Sequence, residues 1–255
     1  MTIAEVIESI ESVAPISLQE DWDNSGLLLG GDKAECSGVA VCLDVTADAI
    51  RQAADAGCNL LVSHHPVIFK GIKQVNSKTV AGAAIIEAIR RCVAVYCAHT
   101  SLDNAPEVGV SHEMARLLGA EEIQPMTASG TGVLARLAEP VSADEFAQRV
   151  KRAFSAEAVR CSVGSGRMIQ RIVVGGGACG FLIPDAVGLQ ADAIVTADVR
   201  YHDFLDYGRD IFIADITHFD SEKCAKQILM RVISKKIANF AHCIECAEHN
   251  PISYK

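Results

Sequence analysis

The sequence predicts an α/β fold of two similar units, the second inserted in the first. Three observations carry this. Apolar runs of strand length alternate with capped, amphipathic helical stretches, the pattern of βαβ units around parallel sheets. A faint internal repeat recurs at an offset of about 133 residues. Val39-Ala40-Val41 corresponds to Ile172-Val173-Val174, and Asn59-Leu60-Leu61-Val62-Ser63 to Asp192-Ala193-Ile194-Val195-Thr196. Finally, 255 residues that are 50% hydrophobic and 22% charged hold enough apolar material for one large core or two smaller ones. Such a chain is too apolar for disorder.

Taken in order, Thr2 caps a short helix whose apolar face is Ile3, Val6, Ile7 and Ile10, and Pro15 stops it. The polar stretch Glu20-Asp21-Trp22-Asp23-Asn24-Ser25-Gly26 leads into Leu27-Leu28-Leu29-Gly30-Gly31. Residues 38–43 read as a buried strand, 46–56 as a helix capped by Thr46 and ended by Gly57, and 59–63 as the next strand. A helix over 79–91, a strand over 92–98 and a helix over 111–118 follow. After Pro125 the pattern restarts: strand 132–137, helix 142–154, strand 171–174, helix 184–189, strands 193–196 and 211–216. One long helix is expected over 219–235 and a last strand over 237–246 that returns to the first sheet. The expected domains are therefore 1–125 plus 218–255, and 126–217.

Composition excludes several classes. The ten cysteines mostly sit singly inside apolar runs, which suits small buried hydrophobes in a reducing cytosol rather than a disulfide framework. A net charge of −9 argues against nucleic acid or an anionic membrane surface as partner. The chain start shows no basic and apolar secretory pattern, and no apolar run reaches membrane-spanning length, so a cytoplasmic location is expected.

Residues able to do chemistry cluster after predicted strands, where ligands gather in open α/β sheets. Ser63-His64-His65-Pro66 follows the strand 59–63, and adjacent imidazoles at a strand end point to metal binding. His99-Thr100-Ser101-Leu102-Asp103 follows the next strand and offers a carboxylate, with His99 either a ligand or a partner that orients one. His218-Phe219-Asp220-Ser221-Glu222 places an imidazole and a carboxylate four apart on one helix face. Alone, that last segment reads equally as an acidic first turn favoured by the helix dipole. Together, His64, His65, Asp103, His218 and Glu222 suit two ions bridged by a carboxylate. With nitrogen and oxygen donors and no thiolate, Zn, Fe, Mn, Co and Ni all remain open.

These segments resemble the GTP cyclohydrolase 1 type 2 homolog family, also described as Nif-three-like dinuclear metal-centre proteins. The resemblance runs through Glu20 to Leu27, Ser63 to Pro66, His99 to Asp103, Thr196-Ala197-Asp198 with Tyr201-His202, His218 to Glu222, and Asn250-Pro251-Ile252. It implies two divalent ions per chain, with His65 and Asp103 on one ion, His64 and His218 on the other, and Glu222 bridging. It further implies a toroidal homohexamer, and Tyr201 and His202 near the site for proton transfer or substrate contact. Members with a mid-chain insert differ from this chain, which resembles the short form.

Three other features carry less. Gly175-Gly176-Gly177 after a strand suggests a phosphate-cradling loop but fits neither a dinucleotide fingerprint nor a P-loop, and a tight turn is the plainer reading. Cys243 and Cys246 mimic half of a zinc or redox motif, with no second pair at the right spacing. Trp22-Asp23-Asn24 reads as an anchor for a polar loop, with Asp23 or Asn24 within reach of the cleft. The expected function is a metal-dependent hydrolase acting on a nucleotide or related heterocycle, GTP ring opening being what the family name implies. A non-enzymatic metal-binding or partner-binding hexamer and a metal-dependent phosphoesterase are the alternatives.

Overall fold

The structure, a computed structural model, describes residues 1–237 and 242–255. The chain runs α1 (Ile3–Glu11), β1 (Gly26–Leu29), β2 (Gly38–Cys42), α2 (Ala47–Asp55), β3 (Leu60–Ser63), α3 (Val80–Arg91), β4 (Ala94–Cys97) and α4 (Thr100–Asp103). It continues α5 (Val110–Leu117), β5 (Ala120–Pro125), β6 (Val133–Val141), α6 (Ala143–Ala153), β7 (Arg160–Cys161), β8 (Ile169–Val174), α7 (Ile183–Gly188) and β9 (Ala193–Ala197). Last come α8 (Tyr201–Tyr207), β10 (Phe212–Ile216), α9 (His218–Glu222), α10 (Cys224–Ile237) and β11 (His242–Glu245). Caps start the helices where the sequence places them. Thr2 and Glu5 form a reciprocal capping box on α1, as Ser142 and Glu145 do on α6. Each such cap contributes about 1 kcal/mol.

The chain divides into two compact units, Met1–Ala105 with Ala225–His249, and Pro106–Cys224 with Asn250–Lys255. The expected boundaries at 125/126 and 217/218 thus move to 105/106 and 224/225. The physical reason for the first shift is pairing. β5 forms an antiparallel ladder with β6, and α5 packs on β5, β6 and β8, so the stretch from 106 to 125 belongs to the second unit. The long helix expected over 219–235 is two helices, α9 and α10, broken at Lys223. The Lys223 ammonium is drawn to Asp220 Oδ1 at 2.8 Å and to the Phe154 carbonyl. The break falls where the chain leaves the second unit. The strand expected over 237–246 is β11, which pairs in parallel with β2; residues 238–241 lie outside the described residues.

In the first unit the sheet order is β1-β4-β3-β2-β11, with β4, β3, β2 and β11 parallel and β1 antiparallel on the edge. Strands β2, β3 and β4 are buried at every residue, as unbroken apolar runs in a covered parallel sheet should be. Ala40, Cys42, Leu61 and Val95 meet Ile50, Ala53, Ile85 and Ala88 from α2 and α3 in one core. In the second unit the order is β5-β6-β8-β9-β10-β7, with β8, β9 and β10 parallel. Val173, Ile194 and Ile213 pack there with Leu182, Ile183 and Ala186. The segments matched by the repeat share a register: Val39 lies opposite Leu60, and Ile172 opposite Ala193. Within each unit, the parallel strands therefore end on the same edge of their own sheet.

Candidate metal-ligand clusters at the strand ends

In the first unit, β2, β3 and β4 end on Asp44, His64-His65 and His99. The ladder continues past the strands: the amides of His64 and His65 donate to the Cys42 and Leu43 carbonyls at 3.2 and 2.9 Å, and Ala98 N donates to the Ser63 carbonyl. Both histidines thus ride on hydrogen-bonded backbone. Ligand atoms of His64, His65 and His99 all lie within 4.8 Å of one another. The expected donor Asp103 joins them, its Oδ1 3.6 Å from His64 Nε2. His99 sits within this donor set rather than behind it.

The state of each imidazole follows from its other nitrogen. His64, fully buried, has Nδ1 2.9 Å from the Ala98 carbonyl. A carbonyl only accepts, so Nδ1 carries the proton and Nε2 presents a lone pair. His65 Nδ1 donates to Asp44 Oδ1 at 2.9 Å, and His99 Nδ1 to Asp23 Oδ1 at 2.7 Å. Asp23 is the busier partner. Its Oδ2 also accepts from Thr100 N at 3.0 Å, from Thr100 Oγ1 and from Ser25 Oγ at 3.1 Å. Burial would raise its pKa, yet the His99 and Thr100 hydrogen bonds outweigh that and hold the carboxyl well below the usual range. The loop expected as an anchor is one: Asp23 grips the His99-Thr100 turn, and Asn24 Nδ2 donates to the Ile68 carbonyl at 2.5 Å. Trp22 itself, however, is 59% exposed.

Asp44 is held in turn. The Glu248 carboxylate accepts from the amides of Leu43 and Asp44 at 2.8 and 2.9 Å, closing the end of β2. Buried Lys226 pairs with Glu248 at 3.3 Å and with Glu245 at 3.0 Å. The cluster of Cys243 and Cys246 adds no ligand: both are free thiols pushed up by burial, to about 11 and about 12. They belong to β11 and the core beneath it, as the strand reading expects.

In the second unit, Thr217 after β10 caps α9 by accepting from Asp220 N. Asn250 Nδ2 in turn donates to Thr217 Oγ1 at 2.7 Å, which gives the terminal Asn250-Pro251 motif a structural task. The one-turn helix sets His218 Nε2 2.9 Å from Glu222 Oε2, a carboxylate only 5% exposed. His218 Nδ1 lies 2.7 Å from Asp198 Oδ2. With the ring proton on Nδ1, two lone pairs face each other across the His218–Glu222 contact. That arrangement calls for a positive charge, a proton or a metal ion. Asp198 adopts a left-handed conformation with φ 54°, a sparsely populated backbone state of the kind found at functional sites.

The Gly175–Gly177 loop answers a different need from the phosphate cradle considered above. Gly175 N donates to the Val195 carbonyl, Gly176 N to Ser111 Oγ and Gly177 N to Ser221 Oγ, so these amides are engaged within the protein. A Cβ at Gly177, where φ is +65°, would stand 2.1 Å from Glu222 Oε1 and 3.2 Å from His218 Cε1. Glycine is what lets backbone form the wall beside these two side chains. Tyr201 and His202 start α8, are exposed, and touch each other edge to face at 5.3 Å.

The donor chemistry fits divalent metal. His64, His65, His99 and His218 all commit Nδ1 to an oxygen acceptor and present Nε2, the arrangement that orients metal-binding imidazoles. Fold and site thus define an α/β protein with two sheets and histidine–carboxylate clusters at the ends of parallel strands. The chain belongs to the Duf34/NIF3 (NGG1p interacting factor 3) family, whose model matches residues 1–251. A Clostridium acetobutylicum protein named GTP cyclohydrolase 1 type 2 homolog is 30% identical over 250 residues, covering 95% of this chain and 91% of that protein. The Campylobacter jejuni protein of the same name is also 30% identical, with both chains covered completely. Among solved structures, a Staphylococcus aureus hypothetical protein superposes with a TM-score of 0.93 at 26% identity, covering 100% of this chain and 99% of that one. A Bacillus cereus protein related to NIF3 shares the fold with the same score at 20% identity, over 100% of this chain and 99% of that one. No helix among the described residues is long and apolar enough to cross a membrane.

Proposed function

We propose that this protein binds two divalent metal ions through His64, His65, Asp103, His218 and Glu222 and acts as a metal-dependent hydrolase on a nucleotide or related heterocycle. The observation that supports metal binding most strongly is shared by four imidazoles, each with Nδ1 held by an oxygen acceptor, the arrangement that orients metal-binding histidines. The resemblance supplies the division of labour: His65 and Asp103 on one ion, His64 and His218 on the other, Glu222 bridging. His99 stands ready as a further donor, oriented by Asp23. The hydrolytic reading and the nucleotide rest on the names of relatives, and assembly into a homohexamer rests on the family resemblance alone.

Divalent ions held by these residues would supply Lewis acidity and a means of activating water at neutral pH. The chain's own residues prepare that chemistry. Burial of His64 and Glu222 lowers the local dielectric, which strengthens every charge interaction with a bound ion. Asp23, Asp44 and Asp198 fix the imidazole planes before any ligand arrives, so little reorganisation is left for binding. Exposed Tyr201 and His202 are the proposal's proton-transfer or substrate-contact residues.

Metal-reconstituted protein incubated with GTP tests the activity. Loss of the purine chromophore with formate release is the expected result. Absence of turnover with GTP and with phosphoesters, under each of Zn, Fe, Mn, Co and Ni, would replace the hydrolase with a metal-binding role. Light scattering tests assembly, six copies being expected.

A further inference from the structure

Beside the histidine cluster of the first unit lies an aromatic pair that the metal chemistry does not use. Trp22, the chain's only tryptophan, and Phe69 are 59% and 44% exposed, with ring centroids 5.8 Å apart. Each also meets the His99 ring near edge-on, at 6.0 and 6.2 Å. Exposed rings on loops are ordinarily mobile, but these two are fixed from below. Asn24, two residues from Trp22, is tied to the carbonyl of Ile68, next to Phe69, and Asp23 grips the His99 turn. The two rings, inclined 55° to each other, hold exposed faces next to the His99 imidazole, and either face can take a planar ring by stacking.

The charge of the segment selects the ring's class. The chain carries 32 acidic against 23 basic residues, yet from Pro66 to Thr79 it has Lys70, Lys73 and Lys78 and no carboxylate. Lys70 follows Phe69 directly, and Lys70 and Lys73 are exposed. Glu20, Asp21 and Asp23 flank Trp22, so the lysine-bearing side is that of Phe69, where Lys70 complements a flat heterocycle that bears phosphate. We propose that Trp22 and Phe69 form the base-stacking subsite for a nucleoside phosphate, with the lysines of the 66–79 segment attracting its phosphates. This deepens the hydrolase reading and rests on it for the role of the neighbouring metal ions.

Indole emission of the lone Trp22 reads the subsite directly. Metal-free and Co²⁺-loaded protein are titrated with guanosine 5′-monophosphate and with ribose 5-phosphate. Saturable quenching by the nucleotide, none by the sugar phosphate, and weakening with salt are expected. Phe69→Ala should weaken nucleotide binding about tenfold or more, and Phe69→Tyr should restore it. Equal response to both ligands, or an unchanged affinity in Phe69→Ala, would overturn the subsite. So would protection of Trp22 from acrylamide in the unliganded protein, since a second copy would then cover the face. Co²⁺ alone should also quench Trp22, through ions held at the nearby histidines. Quenching by Co²⁺ without any by nucleotide sinks the subsite and leaves metal binding standing; nucleotide quenching without any by Co²⁺ does the reverse.

Discussion

The two units solve one problem with different chemistry. Each carries parallel strands, four in the first and three in the second, and each places its donors just past strand carboxyl ends. In the first unit the donors are imidazoles on backbone that the sheet ladder still holds, His64 and His65 after β3 and His99 after β4. In the second, one imidazole and one carboxylate share the single turn of α9. The repeat aligns His65 with Asp198, yet the first is a presented base and the second is the acceptor that orients His218. An equivalent position has thus changed from a held imidazole to a holding carboxylate. Orientation by a carboxylate is the element kept: Asp44 and Asp23 in one unit, Asp198 in the other.

The largest effects should come from removing donors. His65→Ala and Glu222→Ala should each weaken metal binding by more than about a hundredfold, beyond the range that outer-shell changes reach. Titration calorimetry on metal-free protein checks this, and two ions bound to Glu222→Ala with unchanged affinity would break the assignment. Gly177→Ala comes next. Its positive φ and the 2.1 Å approach to Glu222 predict a loss of about 1–3 kcal/mol in denaturant unfolding, together with weaker metal binding. Gly71→Ala, where an added Cβ meets nothing within 4 Å, should stay within about 0.5 kcal/mol of the parent.

Asp23→Asn and Asp198→Asn sharpen the comparison, because each removes an orienting carboxylate from one unit alone. Both should lower metal affinity about 10–100-fold while leaving the fold intact by circular dichroism. Glu248→Gln acts one step further out, through the Asp44 backbone, and should cost less than either. A larger loss in Glu248→Gln than in Asp23→Asn would show that support in the first unit runs mainly through Asp44.

The smallest effect is a pH dependence confined to the second unit. Burial pushes Asp215 up to about 6, against the pull of Arg160. Its folded pKa lies above the unfolded value of 3.8, so its contribution to stability is fully present below that value and is lost as pH rises through about 6. Metal-free protein should therefore gain stability relative to Asp215→Asn between pH 7 and pH 5. A constant difference between the two would contradict the assignment.

Much of this was legible in the sequence. Apolar runs of four to six residues ending in a histidine doublet or a His-x-x-x-Glu pair mark both the strands and the donors, because burial and ligation each leave a local pattern. The supports leave none. Asp44 reads as an ordinary turn residue, and only the parallel register of β2 against β3 brings it to His65. Glu248 lies some two hundred residues from the amides it accepts from. Gly177 reads as a turn glycine until Glu222 is placed against it. The boundary at 105/106 was hidden because β5 carries an edge-strand pattern, with Glu121, Glu122 and Gln124 breaking the apolar run.

In the proposed function, His64, His65, Asp103, His218 and Glu222 are the ligands of two metal ions. Elemental analysis of reconstituted, gel-filtered protein tests this most directly. Two divalent ions per chain in the parent, and none in the His65→Ala/Glu222→Ala double variant, is the predicted result. A parent that retains no ion, or a double variant that still retains two, would contradict it.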